Sequence, residues 1–179
     1  MESLNQPSLS SLNTESAPIT IEVLGTPAPQ GSKTVSRWGG VRESSALVKP
    51  WRQSVAYASV RDYKGPVLDG PLFICIDFYF IRPKNHYGTG RNAGKLKNSA
   101  PTHCVKTGGD IDKLARSTLD GLSVSSGGNV IRDDRLVVGL ILLKHYATDE
   151  DHAGATIKIY SALGADLNVV NQLEKLIAL

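Results

Sequence analysis

The sequence predicts an α/β (α+β) fold in which a small mixed β-sheet packs against two or three helices. Strand-like apolar segments begin near residues 19, 72, 136 and 155, and segments with helical periodicity lie between and after them. The last two strand segments are close in sequence, so we expect them to form a hairpin within a mixed sheet. With 179 residues, 41% of them hydrophobic, the chain can form one domain with a real core.

The N-terminal third is predicted to contain a leader, a strand, a loop and a helix. Residues 1–17 lack periodicity and are expected to be disordered. Ile19–Leu24 alternates between apolar and polar residues, which predicts a strand and the start of the domain at residue 18. Prolines and glycines interrupt residues 25–40 and predict a loop, whereas residues 50–63 have the apolar spacing of a helix.

The strongest strand signal covers residues 72–81. One face of this strand is predicted to be entirely apolar, and it consists of Leu72, Ile74, Ile76, Phe78 and Phe80. A long glycine-rich segment, residues 82–109, follows and is predicted to be a functional loop.

The second half of the chain contains the clearest helix signal. Ile111–Leu122 has apolar residues at helical spacing, with Asp110 at the N-cap position. Residues 136–144 and 155–160 are predicted to be strands. The domain is expected to end at residue 162, and residues 163–179 have the pattern of an amphipathic C-terminal helix.

Four acidic residues gather around the second predicted helix: Asp110, Asp112, Asp120 and Asp134. Converging carboxylates repel one another unless a cation lies between them, and Mg²⁺ prefers oxygen ligands of this kind. Such an ion can activate water for phosphodiester hydrolysis. The alternative is that Asp110 only caps the helix, and that Asp112, Arg116 and Asp120, spaced four residues apart, form a solvent-exposed salt-bridge ladder.

The segment before these acids is basic. Residues 82–109 contain no Asp or Glu but include six cations, namely Arg82, Lys84, Arg91, Lys95, Lys97 and Lys106. Lys33 and Arg37 in the earlier loop could add further contacts. A cationic segment that leads directly into an acidic cluster is what a nuclease needs, because cations hold the phosphate backbone. The alternative is a solvated connector.

Three runs resemble the core of the RusA-like Holliday junction resolvases: GDIDKLAR at 109–116, LDGL at 119–122 and IRDDRLV at 131–137. RPKNHY at 82–87 resembles the bacteriophage branch of that family. The resemblance implies metal ligands at Asp110, Asp112 and Asp134, a further family acid at Asp120, Mg²⁺ or Mn²⁺ as cofactor, and a homodimer that nicks four-way junctions. Lys113 and Arg116 stand where the family has Asn and a catalytic Lys. Arg116 keeps the charge needed to steady a phosphate but does not deprotonate.

We therefore expect a Mg²⁺-dependent, structure-selective endodeoxyribonuclease of branched DNA, with water as the nucleophile. Its catalytic residues are predicted to be Asp110, Asp112, Arg116, Asp120 and Asp134. Its DNA-binding residues are predicted to be Lys33, Arg37, Arg82, Lys84, Arg91, Lys95 and Lys97. Two alternatives remain open: a non-catalytic protein that binds branched DNA, and a nuclease of the same fold that acts on flaps or forks.

Other classes of protein are disfavoured. The net charge of +3 is only mildly basic and does not by itself indicate nucleic acid. No apolar segment approaches the ~18 residues of a membrane span, the two cysteines do not make a disulfide framework, and GSKT at 31–34 lacks the Gly-Lys pair of a nucleotide-binding loop. We expect a cytoplasmic protein of a bacterial or phage-infected cell, with neither a nucleotide cofactor nor a membrane partner.

Overall fold

The computed structural model describes residues 17–31, 33–35, 41–43, 46–149 and 152–162, with the backbone alone for 33–35 and 41–43. The predicted leader before residue 17, Arg37, and the predicted C-terminal helix at 163–179 lie outside these residues.

A mixed four-stranded sheet is the centre of the described fold. Its spatial order is β1 (Ile19–Leu24), β6 (Gly154–Ser161), β4 (Leu72–Phe80) and β5 (Val137–Tyr146). β6 runs antiparallel to both β1 and β4, whereas β5 runs parallel to β4. The predicted α+β class and mixed sheet are therefore confirmed.

A second, two-stranded sheet interrupts the segment predicted to be a loop at residues 25–40. β2 (Lys33–Val35) pairs antiparallel with β3 (Val41–Glu43). Lys33 therefore lies in a short strand and not in an irregular loop.

The predicted hairpin between the last two strands is wrong, because β4 lies between β5 and β6. The alternate side chains of β4 from Leu72 to Phe80 are at most 3% exposed, and a strand buried this deeply gains most from a neighbour on each side. The connection from the end of β5 at Tyr146 to the start of β6 at Gly154 has to span two strand spacings, or about 10 Å. The loop is long enough for this crossing, so closeness in sequence did not require pairing.

The two described α-helices, α1 (Val48–Asp62) and α2 (Ile111–Leu122), pack against each other and the apolar face of the sheet. Trp51 is buried between them, and its indole Nε1 donates to Thr118 Oγ1 over 3.0 Å. A Cβ atom added at Gly121 would lie only 2.8 Å from the Cβ of Val55. The close approach of the helices therefore depends on a glycine at this position. None of the described helices has the length and apolar character needed to cross a membrane.

The opposite face of β4 carries a short polar row. His145 Nε2 lies 2.7 Å from Asp77 Oδ1, and the imidazole stacks on the Tyr79 ring at 5.3 Å between centroids. Cys75 and Cys104 are both free and buried, and burial raises the pKa of each thiol. Cys104 belongs to the segment 82–109 that was predicted to be a loop, yet its side chain is part of the core.

Replacing Gly121 with Val should destabilise the fold by about 1–3 kcal/mol, because the added methyl groups would overlap Val55 on α1. Urea denaturation followed by circular dichroism measures the change. Ser125→Ala is the matched control, since Ser125 is exposed just beyond α2. Equal midpoints for the two variants would show that the helix contact does not require glycine.

Candidate active site

The acidic end of α2 lies beside the carboxyl ends of β4 and β5. Lys144, near the end of β5, donates from Nζ to the carbonyl oxygen of Gly109 over 2.8 Å. Gly108 passes so close to β4 that an added Cβ would overlap the Phe80 ring at 2.2 Å. Gly108 and Gly109 have φ angles of +83° and +74°, which favour glycine, and they turn the chain into α2.

Asp110 occupies the N-cap position of α2, but its side chain makes no capping hydrogen bond. Its carboxylate accepts instead from Lys113 Nζ at 2.6 Å, since an ammonium is a stronger donor than a backbone amide. The hydrogen bond and charge of Lys113, with a smaller contribution from Lys144, lower the pKa of Asp110. The carboxylate is thus ionised and exposed. The predicted N-cap position of Asp110 is therefore confirmed, but its side chain pairs with Lys113 and does not cap the helix.

Asp112 and Arg116 are both exposed on α2, with Asp112 in the first turn. They are four residues apart, so they occupy the same side of the helix, one turn from each other. Together with Asp110, they form an exposed group of charges at the beginning of α2.

Asp120 continues the same helical stripe but is held by a different element. Its carboxylate forms an ion pair with Nη2 of Arg52 on α1, with side chains that are 22% and 26% exposed respectively. This contact joins α2 to α1. A direct role of Asp120 in chemistry stays a prediction.

Asp134 lies at the other end of β5. It begins a 3₁₀ turn, Asp134–Leu136, that leads directly into β5. The seven steps from Val137 to Lys144 cover about 23 Å of extended strand, and Lys144 is the residue that contacts Gly109. The three acids predicted to bind metal are therefore divided between the two ends of β5.

The separation of Asp134 from Asp110 and Asp112 determines whether these three carboxylates can bind one metal ion. Within the described part of the chain, no group of three or more His, Cys, Asp or Glu side chains is arranged to hold one. Asp110 and Asp112 are suitable hard oxygen donors for Mg²⁺. The described residues of one chain do not, however, assemble the predicted three-carboxylate site.

Lys144 is a site residue that the sequence analysis missed. It is opposite Phe78 in the register of β4 and β5, which places it on the helix-packed side of the sheet. Its ammonium lies 5.8 Å from the centre of the Phe80 ring as well as beside Gly109. A lysine inside a predicted strand carries no functional signal until the parallel pairing of β4 and β5 is known.

The cations predicted to bind DNA fall into two groups. Lys84, Arg91, Lys95 and Lys97 are exposed, although Lys97 Nζ also donates to the Asn85 carbonyl at 2.9 Å. Arg82 is half-buried, with its guanidinium carbon 3.8 Å from the centre of the Tyr146 ring. The Arg82 side chain thus has a structural partner, and its contact with DNA stays a prediction.

A comparison with protein-family models identifies the family that this chain resembles. The family model described as endodeoxyribonuclease RusA matches residues 25–160, a range that includes the cationic segment, α2 and both ends of β5. A search of curated proteins finds no matching relative.

Removing Lys113 should raise the pKa of Asp110, because Lys113 supplies the largest stabilisation of the ionised carboxylate. Lys144→Met should raise it by less. The stabilisation from the Asp110–Lys113 pair is present above the unfolded-state pKa of Asp110 and is lost as the pH falls through the lowered folded value. NMR titration of Asp110 in Lys113→Met and Lys144→Met tests this order, with Lys158→Met on the opposite face of the sheet as control. An unchanged Asp110 pKa in Lys113→Met would contradict the observed pairing.

Proposed function

Because the chain belongs to the RusA endodeoxyribonuclease family, we propose that it resolves Holliday junctions and other branched DNA by divalent-metal-dependent hydrolysis. The observation that carries the proposal is the exposed, ionised acidic start of α2 directly after an acid-free cationic segment. Phosphates held by the cations would then lie next to carboxylates able to bind metal. The proposed setting is the cytoplasm of a bacterial or phage-infected cell.

The cofactor in this proposal is Mg²⁺, with Mn²⁺ as a substitute, bound by Asp110, Asp112 and Asp134. A shared ion would need to lie about 2.1 Å from each ligand oxygen. The two ends of β5 are too far apart for this within one chain. We therefore propose a homodimer in which Asp134 of a second copy approaches Asp110 and Asp112. A two-fold dimer would also supply the two equivalent sites that symmetric cutting of a junction requires.

In the proposed reaction, a water oxygen attacks phosphorus and loses a proton to solvent, while the bond from phosphorus to the ester oxygen breaks and that oxygen takes up a proton from solvent. In the proposed complex, Arg116 contacts the phosphate from one helical turn beyond Asp112, and its guanidinium stays charged throughout. Lys144 holds Gly109 against the end of β5 and thereby fixes the backbone that carries Asp110. Asp120 supports the site by joining α2 to α1 through Arg52.

Asp112→Asn should separate binding from cleavage. The amide keeps the shape of the side chain but removes a charge and a metal ligand, so cleavage of a four-way junction should fall by about 10²-fold or more. Binding should persist or tighten, because repulsion of the phosphate backbone is relieved. Paired gel-shift and cleavage assays, with Mg²⁺ and with chelator, measure both effects.

Glu22→Gln on β1 is the matched control, since it makes the same chemical change on a strand that does not contribute to the proposed site. Undiminished cleavage by Asp112→Asn, or full wild-type activity with chelator, would refute the metal-dependent mechanism. Binding without cleavage by the wild-type protein would favour a passive junction-binding protein. Preferential cutting of flaps or forks would instead favour a nuclease with a different substrate.

A mixing experiment tests the shared site. Asp110→Asn and Asp134→Asn should each be inactive alone, but a heterodimer of the two would contain one site with all three acids intact. Coexpression of these variants should therefore restore nicking of one strand. The control pair, Asp110→Asn with Asp112→Asn, should restore nothing, because both changes affect the same half of the site. Light scattering should give a mass of about twice 19.2 kDa for the coexpressed variants. If the first pair is dimeric by this measure but recovers no activity, the active site is not shared between two copies.

A further inference from the structure

Within the predicted loop at residues 82–109, residues 86–97 fold back on themselves as a projection, here called the finger. Its two arms are joined by backbone hydrogen bonds from Gly88 to the Lys95 carbonyl and from Lys97 to the His86 carbonyl, each 2.9 Å. A 3₁₀ turn, Gly90–Asn92, forms the tip. An added Cβ at Gly88 would lie 2.6 Å from the Asn92 carbonyl oxygen, so the arms and tip are closely packed.

The base of the finger is fixed to the end of β5. The guanidinium of Arg82 stacks on the Tyr146 ring, and its Nη1 donates to the Pro101 carbonyl at 2.9 Å. The His86 ring contacts the same Tyr146 ring edge-on, at 5.7 Å between centroids. These contacts hold the finger in one direction relative to the sheet and to the acidic start of α2.

The surface of the finger combines cations with an exposed apolar side chain. Every residue from 89 to 99 is exposed, with Arg91 at the tip. Leu96 is 51% exposed and lies between Lys95 and Lys97. A phosphate backbone would satisfy the cations but would leave the leucine side chain in water.

This combination matches the chemistry of an interrupted base stack. Apolar side chains such as leucine insert between base steps and partly unstack them, while neighbouring cations hold the flanking phosphates. The energetic cost of unstacking is smallest where pairing is already disturbed. At a branch point the strands pass from one base stack to another, so the stack is interrupted there, whereas in a continuous duplex it is not.

We propose that the finger is a wedge for the branch point of DNA, with Leu96 packed against an exposed base and Arg91, Lys95 and Lys97 on the flanking phosphates. The proposal rests on the proposed function, since it assumes a branched substrate. It adds the means by which a branch is distinguished from a continuous duplex.

The test compares Leu96→Ala with Val105→Ala, a control that removes a 67%-exposed apolar side chain from the same acid-free segment but outside the finger. A four-way junction carries 2-aminopurine at the branch, where unstacking increases fluorescence. Wild type and Val105→Ala should increase it, and Leu96→Ala should not. Junction affinity of Leu96→Ala should fall about tenfold, with duplex affinity and the salt dependence of binding unchanged.

A second variant separates the cations from the wedge. Simultaneous replacement of Arg91, Lys95 and Lys97 by Ala should weaken junction and duplex binding alike and flatten the salt dependence, because fewer counterions are released. Unchanged melting temperatures confirm that the variants fold. If the wild type cuts junctions but Leu96→Ala has the same fluorescence and affinity as Val105→Ala, the proposed role of Leu96 is wrong and the proposed nuclease function is retained. If wild type neither binds nor cuts junctions, the proposed function itself fails.

Discussion

The parallel pairing of β4 with β5 is the constraint on which both functional regions depend. β4 is buried along its whole helix-facing side and is paired along both edges, so its register leaves β5 little freedom to shift. That register places Lys144 beside Gly109 and Tyr146 beneath Arg82. The start of α2 and the base of the finger are thus held at the same end of one sheet.

The electrostatic arrangement at this end balances two opposing requirements. Exposed carboxylates bind a hard cation well but repel phosphates when no cation is present. Lys113 lowers the pKa of Asp110 through a direct hydrogen bond, and Lys144 adds a smaller contribution in the same direction. The two lysines therefore keep the carboxylate ionised while reducing the net negative charge that approaching DNA encounters. This offers a physical reason for a lysine at position 113, where the resemblance indicates asparagine.

The spacing of apolar residues in the sequence predicted those elements in which a single segment buries one face against the core. The apolar face of β4 and the buried positions of α2 followed directly from spacing, because each needs only one neighbouring surface. The order of the strands, the pairing of Asp120 with Arg52 and the place of Lys144 depend on segments distant in sequence, which spacing does not encode. The finger was missed for another reason. Its backbone hydrogen bonds join residues without apolar alternation, and its glycines and polar residues have the composition of an irregular loop.

The contacts at the base of the finger determine which parts of the segment can change in length without disturbing the sheet. The hydrogen bond from Arg82 to the Pro101 carbonyl joins the two ends of the segment that contains the finger. The stacking of the Arg82 guanidinium on the Tyr146 ring fixes these ends to β5. Everything beyond this closure can be lengthened, shortened or exchanged at a cost in loop entropy that grows only logarithmically with length. The finger can therefore differ in length and sequence while the contacts at its base stay the same. The tip of the finger and the sheet that holds the acidic site are thus subject to separate physical constraints.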